Sequence, residues 1–196
     1  TVRDELGIAP SKRVYLHGYG KAHDEWFVTD RPELNGSPAT RAVVGQALDM
    51  AGRTLDSIDA IDIYSCFTAA VQSTCDALGL SADDPRGFTL TGGLPFFGGP
   101  GNNFVTHSIA QMVTRLRSTP GKFGLVTANG GLVTKHAAGV FSTARPAQPW
   151  PTGFHSTVQA QLDLAPKARF TEQPGGDASI ESYTVVYGKN GPDYAV

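Results

Sequence analysis

Ile58-Asp59-Ala60-Ile61-Asp62-Ile63-Tyr64-Ser65-Cys66-Phe67, running on to Leu78-Gly79, is the stretch that decides the fold. Ile58 to Tyr64 reads as a buried strand, an apolar run of strand length. Cys66 to Leu78 reads as a helix with Ala70, Val71, Thr74 and Leu78 turned inward, and Gly79 stands where a helix-ending glycine belongs. Upstream the same logic holds. Arg13 to Tyr19 reads as a strand, and a long loop rich in Asp, Pro and Gly follows. Ser37-Pro38 then opens a helix, because Ser can cap and Pro suits the first turn. Its apolar face is Val44, Ala47, Leu48 and Ala51, and Gly52 closes it. Downstream, Phe88 to Thr91 reads as a third strand that runs into a glycine-rich loop from Gly92 to Gly101. A helix is predicted from about Asn102 to Arg117, with Ile109, Val113 and Leu116 on one face, broken by Pro120-Gly121. Phe123 to Thr127 forms a fourth strand and Val133 to Ser142 a fifth. Strands alternating with helices predict an α/β sheet covered on both faces.

Around Ala144 the character changes. Pro146, Pro149 and Pro151, with Trp150 among them, form a linker-like stretch. Ile180 to Tyr187 reads as a strand before the Lys189-Asn190-Gly191 turn. This gives a main domain over 1–145, then a linker and the start of an additional segment or domain over 146–196, since so short a tail does not easily hold its own core.

The chain has 196 residues, 40% of them hydrophobic and 17% charged, with a formal net charge of -2. That balance steers it towards neither nucleic acid nor an anionic membrane. No apolar run approaches the roughly 18 residues of a membrane span. The opening Thr1-Val2-Arg3-Asp4-Glu5 reads as neither a signal peptide nor an initiator, so a fragment of a longer protein is expected. Cys66 and Cys75 are too few for a disulfide framework and match no zinc spacing, which predicts a reduced, cytoplasmic setting and no metal.

Ligands of such sheets collect at the C-terminal ends of strands, beside helix N-termini. Three junctions qualify. At Tyr64-Ser65-Cys66-Phe67, a cysteine at a helix start has its thiolate favoured by the dipole, which suits a nucleophile or an acid/base; a small buried apolar cysteine is the alternative. Cys75, inside the helix, belongs to the core. In the run Gly92 to Asn103, glycines admit a ligand close to the backbone and the next helix offers free N–H groups. Asn102 and Asn103 add side-chain donors; a tight turn capped by Asn is the alternative. No Gly-Lys-Ser/Thr follows, so this is not a P-loop. His107 reads as a helix-face residue. At Thr127 to Gly131, Asn129 can donate to an oxyanion and Gly130 again invites close approach, against the plainer reading of a strand-ending turn. His136 is either a ligand-facing base or a satisfied strand histidine. His17, His23 and His155 carry no local signal, and without a Gly-x-Ser-x-Gly elbow a hydrolase is disfavoured.

These three junctions, in this order, resemble the C-terminal domain of the thiolase superfamily over about residues 5–145. The likeness is to the bacterial branch of acetyl-CoA acetyltransferases and thiolase-like proteins, related to the sterol-carrier-protein thiolases. Leu90 to His107 and Phe123 to His136 carry it. The resemblance implies a thiolase-type mixed sheet and a role in lipid metabolism. The substrate would be a coenzyme A thioester, with no covalently bound cofactor. It also implies a nucleophilic cysteine on an N-terminal half that lies outside this chain, with a homo-oligomer or partner subunit as possible company. Of the family's His-Asp-Cys-Phe loop, Cys66 and Phe67 are kept while Tyr64 and Ser65 replace His and Asp. Of its Gly-His-Pro loop, Gly98 and Pro100 are kept and Gly99 replaces the His. Of its Cys-x-Gly loop, Gly130 is kept and Ala128 replaces the acid/base Cys. Losing one oxyanion donor typically costs roughly 2.7–4 kcal/mol of transition-state stabilisation. The expected machinery is then Cys66, Tyr64 and Asn129 as catalytic groups, with Gly98, Gly99, Asn102, Asn103, Gly130 and His136 around the substrate. Three activities follow from the resemblance: acyl transfer with Cys66 as acid/base, a thiolase-fold lyase that uses Tyr64 as proton carrier, or acyl-CoA binding without turnover.

Overall fold

The computed structural model describes residues 2–147 and 155–196. The short helix α1 (Val2–Glu5) leads to strand β1 (Tyr15–His23), helix α2 (Pro38–Ala51), strand β2 (Ala60–Asp62) and helix α3 (Thr68–Leu78). A one-turn helix α4 (Leu94–Phe97) precedes helix α5 (Phe104–Ser118), strand β3 (Phe123–Gly130) and strand β4 (Lys135–Ser142). Beyond them come helix α6 (His155–Asp163) and strands β5 (Val185–Gly188) and β6 (Gly191–Ala195). The main sheet has the order β1-β4-β3-β2, and β5 pairs with β6 as a separate hairpin. β4 runs antiparallel to β1 and β3, while β2 and β3 are parallel. The C-terminal ends of β1, β2 and β3 and the start of β4 therefore lie at one end of the sheet.

The expected α/β sheet with helices on both faces is what forms, and it is mixed. α2 and α3 cover one face over a core that includes Val43, Val44, Leu48, Ile61, Cys75, Leu125 and Val140. α5 covers the other through Met112 and Leu116, against Ala60 and Val126. The predicted caps of α2 hold. The Ser37 side chain accepts from Thr40 N–H, and Gly52 turns left-handed so that its N–H returns to Leu48 and Asp49 carbonyl oxygens. A cap of the first kind contributes about 1 kcal/mol. α2 also lies unusually close to β1. A Cβ at Gly18 would fall 2.0 Å from the Ala47 carbonyl oxygen, and one at Gly20 would fall 2.3 Å from that of Val43. These are backbone contacts, so only glycine fits. In the same strand, the pairing with β4 shifts register between Leu16 and Gly18.

Four expectations change. First, β1 continues to His23, well past Tyr19 into the presumed loop, because β4 pairs with it along its whole length. Second, the segment from Phe88 to Thr91 is not a strand. One backbone bond reaches it, Ile63 N–H to Phe88 O at 2.8 Å. Leu90 N–H goes instead to the fully buried Asp62 carboxylate, and the Thr89 and Thr91 hydroxyls take the next backbone N–H groups. Side chains thus satisfy what a ladder would have satisfied. Third, α5 starts at Phe104, so Asn102 and Asn103 precede it, and its buried stripe is Phe104, Ser108, Met112 and Leu116. Fourth, α3 starts at Thr68, which leaves Cys66 outside the helix.

In the tail, the strand expected over Ile180–Tyr187 shortens to Val185–Gly188 and turns back at Lys189-Asn190. α6, not foreseen, docks on β1 by exchanging hydrogen bonds between the Gln159 amide and the backbone of His23. Of the linker-like prolines, Pro149 and Pro151 lie outside the described residues. No helix among the described residues is long and apolar enough to cross a membrane.

Candidate functional site

Three loops meet at the C-terminal end of β2 and β3. The chain leaving β2 runs on through Ser65 and bends at Cys66 and Phe67 before α3, and cross-loop bonds hold it. Tyr64 N–H donates to Thr127 Oγ1 of β3 at 3.1 Å, and Leu94 N–H donates to Ser65 Oγ at 2.9 Å. These bonds explain why Cys66 stays out of the helix. The chain is pinned at two successive residues, Tyr64 and Ser65, before it is free to turn.

The pinning places Cys66 Sγ 3.5 Å from Asn129 Oδ1, where the thiol donates to the amide oxygen. Cys66 is half-buried and Cys75 is buried. The Tyr64 ring stands edge-on to Phe104, with centroids 5.5 Å apart. Burial, and next the charge of Cys66, push the Tyr64 phenol up, so it is a neutral proton donor at ordinary pH. Cys66 and Asn129 are therefore brought together, while the Tyr64 ring turns to Phe104 on the α5 side.

The second loop reaches the same place through its ends. Gly93 N–H is held by Thr91 Oγ1. Gly99 sits against Phe104: a Cβ there would lie 2.7 Å from Phe104 Cβ and 3.4 Å from its Cα. Any side chain at position 99 would require Phe104 to shift. Gly98, Asn102 and Asn103 are exposed on this loop, and the Asn103 side chain makes no cap on α5. His107 packs its ring on Phe97 at 5.2 Å, as a helix-face residue does. The loops also expose apolar surface, with Phe67 75% and Phe96 87% accessible.

Gly130 ends β3, one residue beyond Asn129. His136 does not reach the open loops. It is buried in β4, with Nδ1 2.9 Å from Thr40 Oγ1 and Nε2 3.1 Å from Asp24 Oδ2. Asp24 went unnoticed in the sequence because it lies in a loop, 112 positions from its partner; nothing local marks it. Among the described residues, no group of three or more His, Cys, Asp or Glu could hold a metal ion.

A mixed sheet that gathers a cysteine loop, a glycine-rich loop and an Asn-Gly strand end, in that order, has the architecture of a thiolase-like domain. A solved structure described as a monomeric SCP2-thiolase like protein type 1, from Mycobacterium smegmatis, matches with a TM-score of 0.85 and 44% identity. The match covers 95% of this chain and 41% of that one, so the chain spans less than half the length of the protein it resembles. The chain carries the thiolase-like fold, and the likeness supports the thiolase-like superfamily. No family model matches the chain, and no curated protein does.

Proposed function

We propose that the chain is the C-terminal half of a thiolase-like acyl-CoA acyltransferase, of the acetyl-CoA acetyltransferase type, which makes or cleaves a carbon–carbon bond next to a thioester. The contact that carries this reading is Cys66 Sγ to Asn129 Oδ1 at 3.5 Å. It puts the one thiol of the site beside an amide whose N–H groups can face a thioester oxyanion. In this reading Cys66 takes the acid/base role, which Ala128 cannot fill. Asn129, helped by Asn102 and Asn103, supplies donors in place of the absent histidine. The exposed Phe67 and Phe96 suit an apolar acyl chain. The nucleophile comes from outside these 196 residues. Because the solved neighbour is described as monomeric, we place that nucleophile on the same polypeptide before a partner subunit.

Tyr64 favours a second reading, a thiolase-fold lyase acting on acyl-CoA thioesters. Its hydroxyl, two residues before Cys66, could carry a proton in that reading, though burial pushes the phenol up and weakens it as an acid. The full-length protein separates the two. If transfer is right, Cys66→Ala lowers CoA-dependent cleavage about 100-fold or more, the usual worth of a general acid/base. Unchanged turnover would remove Cys66 from the mechanism. Cleavage that needs no CoA and falls with Tyr64→Phe identifies the lyase. Acyl-CoA binding without turnover of any kind identifies a binding role.

A further inference from the structure

At the loop end of the sheet, polar side chains line up in strand order: Asp24 after β1, His136 in β4, Asn129 in β3 and Cys66 after β2. The first link is a buried contact, Asp24 Oδ2 to His136 Nε2 at 3.1 Å, with 7% and 4% of the two side chains accessible. Asp24 is saturated around it. Its Oδ1 accepts Ala39 N–H at 2.8 Å and its Oδ2 accepts the Ser37 hydroxyl at 2.8 Å. Burial by itself would raise this carboxyl, but the hydrogen bonds from His136, Ala39 and Ser37 outweigh it and hold the carboxyl low. On the other side of the ring, Nδ1 meets Thr40 Oγ1 at 2.9 Å.

The second link is the sheet register. His136 stands opposite Asn129 across β3 and β4. Side chains so paired share a face, and these two line one small cavity with Thr40, Val43 and Thr74. The third link is the contact from Asn129 to Cys66.

Between Asn129 and His136 the backbone is strained. Gly131, Leu132 and Val133 take φ of 57, 54 and 56°, a left-handed run that leucine and a β-branched valine resist. Such a turn persists only where its surroundings over-determine it, and here the restraints come from the same cluster. Asp24 N–H donates to Thr134 O at 2.8 Å. His136 Nε2 lies 3.2 Å from Val133 O. Arg31 Nη2 reaches the Leu132 and Val133 carbonyls at 3.5 Å.

We propose that Asp24 and His136 are a positioning pair: they lock the left-handed 131–133 turn and so fix Asn129 as the partner of Cys66. This deepens the reading of Cys66 and Asn129 as the working pair, but its test needs no turnover. The rate of alkylation of Cys66 by iodoacetamide is measured in the intact protein by mass spectrometry, with buried Cys75 as the internal reporter of unfolding. A thiol whose hydrogen is held by an amide oxygen reacts more slowly than one set free. Asn129→Ala and His136→Gln should each speed Cys66 alkylation, by up to about tenfold if a lost positioning contact acts at its usual scale. In the Asn129→Ala background, His136→Gln should then add nothing, since both act through one contact. The Asn129 side-chain amide resonances should also shift in Asp24→Asn. Where a variant exposes Cys75, Thr40→Val replaces it, because it removes one bond to the ring and leaves every Asp24 contact. Rates that combine multiplicatively, or a Cys66 rate and Asn129 amide resonances that stay at the wild-type values in folded variants, overturn the proposal.

Discussion

On one face of the sheet, α2 lies against Gly18 and Gly20 so closely that carbonyl oxygens of the helix occupy the space of a β-carbon. On the other face, α5 fills the space above Gly124 with a side chain, Met112, whose Sδ stands 2.1 Å from where a Cβ would be. The first contact is backbone on backbone and has no soft degree of freedom. The second ends in a thioether that can swing aside. The difference extends to the site. The rigid face carries Ser37, Thr40 and the Asp24–His136 pair, whereas the adaptable face continues into the glycine-rich loop and Phe104. A ligand that needs the loops to adjust would draw on the α5 side.

The sharpest way to break this comparison is Gly18→Ala. It should cost at least about 4 kcal/mol, because no flexible group can yield, and denaturant unfolding measures it. Next comes Asp24→Ala, which takes a buried acceptor from Ala39 N–H, the Ser37 hydroxyl and the His136 ring and should cost roughly 1–3 kcal/mol for each group left unsatisfied. Gly99→Ala, pressed on the Cβ of Phe104, should cost about 1–3 kcal/mol. Gly124→Ala should cost less than Gly18→Ala by about 2 kcal/mol or more, and a smaller residue at Met112 should recover part of the loss. If Gly18→Ala and Gly124→Ala prove equal, the contrast between the faces is wrong.

A pH titration gives the smallest effect and tests the same face. Burial lowers the His17 imidazole, outweighing its bond to Ala144 O. A folded value below the ordinary 6.5 means that the unfolded chain takes up the proton first, so stability falls as pH drops from 6.5 towards the folded value. Asp24 is likewise lowered from 3.8, so its share is present above 3.8 and is lost as pH falls through its folded value. The melting temperature should therefore decline in two stages on acidification, the first of which His17→Gln removes.

Where local chemistry decides the structure, the sequence could be read. Ser37-Pro38 and Gly52 marked both ends of α2, and the Asn129-Gly130 strand end lay where the apolar run stops. Cys66 was singled out as a cysteine at a helix start, although the helix begins two residues later, at Thr68. What escaped depends on distant partners. Asp62 takes the bonds that would have made Phe88 to Thr91 a strand, and the Gln159 amide brings α6 onto β1. The role of His136 is set by Asp24, and periodicity carries no sign of that pair. The space at Gly99 was invisible for the same reason: what limits it is the Cβ of Phe104, five residues on in another element.

That last feature bears on how the protein can change. A side chain at position 99 needs the first turn of α5 to retreat before it arrives, and that turn holds the ring on which Tyr64 rests. Any gain of volume at position 99 is thus coupled to Phe104, and through it to the tyrosine beside it.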